Sequence, residues 1–156
     1  MDDPERTSFT EKLDAWARQR FDIETSITRL TYLRRVGTLE CRYDDVCDLY
    51  LRLWQPAFRD EDEYWPAKTL VIARMAFGNT RAGNGRSLLE FLADQAEFYE
   101  YDKIALEHIH DGDDIQGFAK KFGFEHAWPK IERPHRNWIA SVSRIAESLN
   151  QTAVLP

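Results

Sequence analysis

Three glycines, Gly78, Gly83 and Gly85, stand among Asn79, Thr80, Arg81, Ala82 and Asn84 in one eight-residue stretch. Upstream, Thr69 to Phe77 is an apolar run rich in branched side chains, which reads as a buried strand. Downstream, from Arg86, Leu88, Leu89, Leu92, Ala96 and Tyr99 recur at helical spacing. A strand that passes through a glycine-rich turn into a helix N-terminus makes a place for an anion. The first-turn N–H groups lack intrahelical partners, the helix dipole is positive there, and glycine lets a phosphate reach the backbone. A second chemical cluster, Glu107, His108, His110 and Asp111, closes the later apolar run Lys103 to Ile109. His108 and His110 share a strand face, but no further ligand stands at useful spacing, so no metal is expected.

The glycine stretch fails two nucleotide patterns. A Walker loop requires Gly-Lys-Ser/Thr after its second glycine, where this chain has Gly85-Arg86-Ser87. A dinucleotide fingerprint requires a third glycine where Leu88 stands. Thr80-Arg81-Ala82-Gly83-Asn84-Gly85, with Leu88-Leu89 following, resembles instead the Gln/Arg-x-x-Gly-x-Gly/Ala motif of the GCN5-related N-acetyltransferase (GNAT) superfamily. Phe118-Ala119-Lys120-Lys121-Phe122-Gly123-Phe124 is similar to that family's Tyr-x-Lys-x-Gly-Phe helix ending. The resemblance covers roughly Thr69 to Trp128 and rests on the two motifs occurring in this order and spacing.

The resemblance implies a single α+β domain over 1–156 with a mixed central sheet and a β-α-β acyl-CoA-binding core flanked by helices. The cofactor half is then about 66–128. It implies acetyl-CoA, or another acyl-CoA, as cofactor. Backbone amides of Ala82, Gly83, Asn84, Gly85, Arg86 and Ser87 would hold the pyrophosphate, with charge-assisted bonds from Arg81 and Arg86. Met75, Ala76 and Phe77 would pair with the pantetheine amides, where strands Thr69–Phe77 and Lys103–Ile109 splay to admit the thioester. The implied activity is N-acetyl transfer to an amine of a small molecule or a protein lysine or N-terminus, by direct attack on the thioester. Glu107 is the first candidate for general base, with His108 and His110 beside it. Three positions depart from the pattern. Thr80 replaces the usual Gln or Arg. The tyrosine that protonates the leaving thiolate falls at Ala119. The family's asparagine falls near Gly112 or Asp113. A non-catalytic protein of the same fold, engaging a protein partner with or without coenzyme A, is the competing reading.

Around this unit, Ser8-Phe9-Thr10-Glu11 has the form of a capping box. Phe9, Leu13, Trp16, Ala17 and Phe21 give an amphipathic helix over about Phe9 to Phe21. Asp22 to Leu33 fits strand or helix, and strand is favoured by its threonines. Val36–Tyr43 and Val46–Trp54 flank Asp44-Asp45 as a hairpin, with Cys47, Leu49, Leu51 and Leu53 on its buried face. Gln55 to Pro66, with four acids from Asp60 to Glu63, reads as a loop. Asp113 or Asp114 caps a short helix that stops at Gly123, and Phe124–Trp128 reads as a strand. Pro134 is expected to start a last helix carrying Trp138, Val142, Ile145, Ala146 and Leu149, with 150–156 fraying.

The chain has 156 residues, 43% of them hydrophobic and 13% aromatic, which argues for a packed core against disorder. No apolar run approaches the roughly 20 residues that span a bilayer, so no membrane is expected. Met1-Asp2-Asp3-Pro4-Glu5 lacks the apolar core of a secretory signal. Two cysteines, Cys41 and Cys47, are too few for a disulfide scaffold, and a reduced, cytoplasmic setting fits them. A net charge of −6 opposes a nucleic-acid partner, including aminoacyl-tRNA, and suits cationic acceptors. The oligomeric state stays open, a homodimer included.

Overall fold

The structure, a computed structural model, describes residues 1–33, 36–53, 65–80, 82–107, 113–127 and 137–154. Over these residues it is a mixed α+β fold with a seven-stranded sheet and four helices. The order across the sheet is β1-β2-β3-β4-β5-β7-β6. The strands are β1 (Thr28–Leu33), β2 (Val36–Tyr43), β3 (Cys47–Leu53), β4 (Thr69–Phe77), β5 (Lys103–Leu106), β6 (Glu125–His126) and β7 (Trp138–Ser141). Among the described residues only β4 and β5 pair in parallel, and α2 (Asn84–Tyr99) connects them as the expected β-α-β unit. The hairpin about Asp44-Asp45 holds, and of the segment Asp22–Leu33 expected as strand only Thr28–Leu33 is one, residues 22–27 being the connection from α1.

Alternate residues of the strands feed two clusters. Leu49, Leu51, Leu53, Leu70, Ile72, Ile104 and Leu106 join the apolar faces of all four helices in the main core. Val71, Ala105, Trp65 and Ala127 form a smaller cluster, with Ile139 against it. Cys41 and Cys47 are free and buried on adjacent strands, near one another as the hairpin implies. The hydrogen bond from Cys47, reinforced by burial, pushes the Cys41 thiol upward.

Helix α1 (Asp3–Phe21) begins well before Phe9. The working capping box is Asp2 and Glu5, not Ser8 and Glu11. Asp2 Oδ1 accepts from the Glu5 amide at 2.9 Å, and Glu5 Oε2 accepts from the Asp2 amide at 2.7 Å. Pro4 in the first turn suits this start, since its missing N–H has no intrahelical bond to lose. Ser8 is instead bonded to the Tyr99 hydroxyl at 2.8 Å. Asp14 on α1 holds the approach to β1 by accepting from the Ile27 amide (2.8 Å), the Thr28 amide (3.2 Å), Thr28 Oγ1 (3.0 Å) and Ser26 Oγ (3.1 Å). Burial alone would raise its pKa, but these bonds outweigh it and hold the carboxyl below its usual range.

The C-terminal third differs most from expectation. Trp138 does not lie on a helix. It begins β7, which pairs antiparallel with β5 and with β6. A parallel edge strand left unpaired would expose its backbone, and this aromatic and β-branched segment covers it. Helix α4 (Val142–Val154) starts only after Ser141, whose Oγ accepts from the Arg144 amide at 3.2 Å. Val142, Ile145 and Leu149 still pack inward, and the helix runs past residue 150, where fraying is expected. The strand expected over Phe124–Trp128 is limited to Glu125–His126 among the described residues. Helix α3 (Asp113–Lys121) already includes both aspartates proposed as its cap, and Gly123 stops it at φ 84° as expected. The acidic run 60–63 and Pro134 lie outside the described residues.

Candidate functional site

Strand β4 changes character along its length. Thr69 to Ile72 pair with β5, and the Glu107 amide adds one last bond to the Ile72 carbonyl at 3.0 Å. Past that point β3 continues alongside, placing Tyr50, Leu49, Asp48 and Cys47 opposite Arg74, Met75, Ala76 and Phe77. The other edge of this second half has no ladder partner among the described residues. Here the backbone can offer hydrogen bonds to something other than protein.

The loop after Phe77 is built tightly. Gly78 donates its amide to the Val46 carbonyl at 3.1 Å, and a Cβ there would sit 2.1 Å from the Asp45 carbonyl oxygen. The β2–β3 turn therefore seats the start of the loop. Gly83 caps α2 with φ 76°, a left-handed conformation that strains any L side chain. The helix starts at Asn84, two residues before the expected Arg86. Its N-cap makes no side-chain bond and its first turn holds no acid. The Ser87 amide is already bonded to the Gly83 carbonyl at 3.0 Å, so the amides of Asn84, Gly85 and Arg86 are the ones helical geometry leaves without partners. Nothing within the helix start neutralises the positive end of the dipole.

Between this helix start and α3 lies a cleft of about 450 Å³. Met75, Ala76 and Phe77 form one wall, Thr80 and Gly85 the floor, and Asp114, Ile115 and Phe118 the other wall. A Cβ on Gly85 would stand 2.7 Å from the Phe118 ring, so the start of α2 and α3 approach closely there. The lining is mostly apolar, and it opens directly onto the unpaired half of β4 and the helix amides.

Helix α1 braces this corner through Arg20, which the sequence offers no reason to single out, and through Trp16, which it marks only as part of an apolar stripe. Arg20 Nε donates to Asn84 Oδ1 at 2.9 Å, and its Nη2 donates to the Ala82 carbonyl at 2.7 Å. Asn84 Nδ2 in turn donates to the Asn79 carbonyl at 3.1 Å. Trp16 Nε1 donates to Ser87 Oγ at 3.1 Å. The only advance signal for Arg20 was a cation in the last turn of α1.

Of the expected site residues, Met75, Ala76, Phe77 and Gly85 come together at the cleft, whereas Ala82, Gly83, Asn84 and Ser87 belong to the adjoining turn and helix start and are not among its lining. Arg86 contributes its amide but turns its guanidinium away. The side chain bonds Glu90 Oε1 at 2.9 Å, the Leu149 carbonyl at 2.9 Å, and Thr152 Oγ1 on α4. Arg81, His108 and His110 lie outside the described residues. Glu107 is buried just past the end of β5 and does not line the cleft. One carboxylate oxygen pairs with Arg52, and the other accepts from Trp65 Nε1 at 2.7 Å. Ala119 is fully buried in the main core. Tyr99 and Tyr101 are also committed to packing. Tyr101 donates its hydroxyl to the Leu92 carbonyl, and burial pushes its pKa up.

A second cavity of about 310 Å³ lies at the opposite end of β4, among Met1, Glu5, Lys68, Thr69 and Tyr101. Among the described residues no group of three or more His, Cys, Asp and Glu side chains could hold a metal ion, and no helix is long and apolar enough to cross a membrane.

No protein-family model matches the chain, and no curated protein matches it either. Among solved structures it is similar to Elp3 from the archaeon Methanocaldococcus infernus, in a form with an N-terminal deletion (1–46). The identity is 14% and the TM-score 0.47, over 80% of this chain and 33% of that one. The chain thus spans about a third of that structure's length, and a superposition of this quality does not bear on its chemistry.

Proposed function

We propose that this cleft binds an acyl-coenzyme A, acetyl-CoA in the first instance, and that the chain is an acyl-CoA-dependent N-acyltransferase acting on an amine of a small molecule or a protein. The observation that carries the reading is the half-paired strand: among the described residues β4 has no β5 partner after Ile72, and it leads through the glycine turn into an acid-free helix N-terminus. A pantetheine arm carries amides that suit an open strand edge, and a pyrophosphate suits the amides of Asn84, Gly85 and Arg86. The cofactor would supply an activated acyl group at its thioester. Met75, Ala76 and Phe77 would orient the arm, Ile115 and Phe118 would exclude water from it, and Gly83 would let the phosphate lie against the backbone. Glu107 stays the proposed base for the acceptor ammonium, but its bonds to Arg52 and Trp65 mean that a water or a rearranged side chain must carry the proton.

Those same bonds favour a second reading. With Glu107 engaged on both oxygens and Ala119 offering no proton, the fold serves equally as a non-catalytic acyl-CoA-binding module for a protein partner. Calorimetric titration with acetyl-CoA, repeated on Gly83→Asp, tests the cofactor site. Binding by the parent protein and none by the variant is expected. No binding by the parent sinks the cofactor reading, and undiminished binding by Gly83→Asp removes the loop from it. Free-thiol release across a panel of amines then separates enzyme from module. Loss of turnover without loss of binding in Glu107→Gln supports the base, and unchanged turnover dismisses it.

A further inference from the structure

We infer that Arg20, on α1, is the positioning residue of the phosphate grip, an inference that rests on the cofactor reading above. Of the two cations the sequence offers here, Arg81 lies outside the described residues, and the Arg86 guanidinium is drawn off to α4. Arg20 is the guanidinium that the described structure bonds to the loop. Its two bonds, to the Ala82 carbonyl at 2.7 Å and to Asn84 Oδ1 at 2.9 Å, bracket Gly83 on either side. Nη2 lies 3.8 Å from where a Gly83 Cβ would stand, so the planar fork rests directly against the left-handed residue. That residue sets the direction in which the first amides of α2 point. A fork bonded one residue before and one residue after it fixes the turn in a way a single bond cannot.

Two further observations give Arg20 a role beyond bracing. No carboxylate among the described residues lies within ion-pair distance of it, although the chain carries a net charge of −6. The side chain is exposed, and two of its five N–H groups are used, so donors remain for an anion on the solvent side. Arg20 thus preorganises the turn and leaves a positive charge beside it. Both effects favour a doubly charged pyrophosphate and neither concerns the pantetheine arm.

The test compares the parent protein with Arg20→Ala and Arg20→Lys in two measurements. Calorimetry reads affinity for coenzyme A and, separately, for pantetheine, which lacks the phosphates. Removal of Arg20 is expected to weaken coenzyme A binding about tenfold or more and to leave pantetheine unchanged, the range for losing charge-assisted bonds. Arg20→Lys restores charge but not the fork, and is expected to fall between. Nitrogen-15 spectra of the ligand-free proteins read the brace itself. The amide signals of Gly83, Asn84 and Gly85 are expected to shift and broaden in Arg20→Ala while that of Gly123 stays put. Parent-like coenzyme A affinity in Arg20→Ala, or an equal loss for pantetheine, overturns the inference and leaves the cofactor site standing. Unmoved loop signals overturn the brace. Failure of the parent to bind coenzyme A overturns the cofactor reading first and this inference with it.

Discussion

The two halves of β4 belong to one largely apolar run and have opposite surroundings. Thr69, Leu70, Val71 and Ile72 are all buried and paired with β5, and the last three also have β3 on the other side. Arg74 to Phe77 alternate between exposed and half-buried, bonded by β3 alone among the described residues. What separates them is where a neighbouring strand ends, since β5 stops at Leu106. An apolar strand is therefore core where it has two neighbours and, among the described residues, an open edge where it has one. Hydrophobicity along the chain does not mark the change.

The largest expected effect tests the buried half. Ile72→Ala should cost about 2–5 kcal/mol, the range for a large side chain removed from a closed core, read as a lower urea midpoint. Ala76→Ser in the open half should change stability by less than about 0.5 kcal/mol. Similar losses at both positions would mean that the halves are equally packed.

Next comes the link from α1 to the approach to β1. Asp14→Asn should cost about 1–3 kcal/mol, because the amide leaves buried donors from Ile27, Thr28 and Ser26 poorly matched. The folded Asp14 pKa lies below its usual value of 3.8. Its contribution is therefore present above that value and disappears as pH falls through the folded pKa. Acid titration of the urea midpoint should show a shallower loss below about pH 4 in Asp14→Asn than in the parent, and identical slopes would exclude Asp14 from the acid limb.

Gly83→Ala should cost about 1–2 kcal/mol for placing a Cβ at positive φ, measured by chemical denaturation. A neutral or stabilising result would show that the turn relaxes. The smallest effect is expected at Arg86→Ala, about 1 kcal/mol of stability, with coenzyme A affinity unchanged, since the guanidinium faces α4. A drop in affinity there would mean that the side chain swings back to the cleft.

Much of the central unit was legible in the sequence. The bounds of β4 follow from its apolar run, and Gly83 and Gly123 mark turns because only glycine occupies positive φ without strain. The start of α2 was misread by two residues, because Asn84 reads as loop until its side chain is seen bonded to Arg20 and Asn79. Trp138 was misread because it shares helical spacing with Val142, Ile145 and Leu149. Its real neighbours, Leu106 and His126, are set by strand pairing that local periodicity does not encode. The partners of Glu107 and Arg20 were invisible for the same reason: Arg52 lies 55 residues from Glu107, and Asn84 lies 64 from Arg20.

The bonds of Arg86 reach further than its own helix. A cation at a helix start opposes that helix's dipole, whereas a cation at a helix end complements it. By spanning from the start of α2 to the Leu149 carbonyl near the end of α4, one side chain joins the two poles. Position 86 is then answerable to the last helix of the fold, so variation there belongs in the melting curve and not in the binding isotherm.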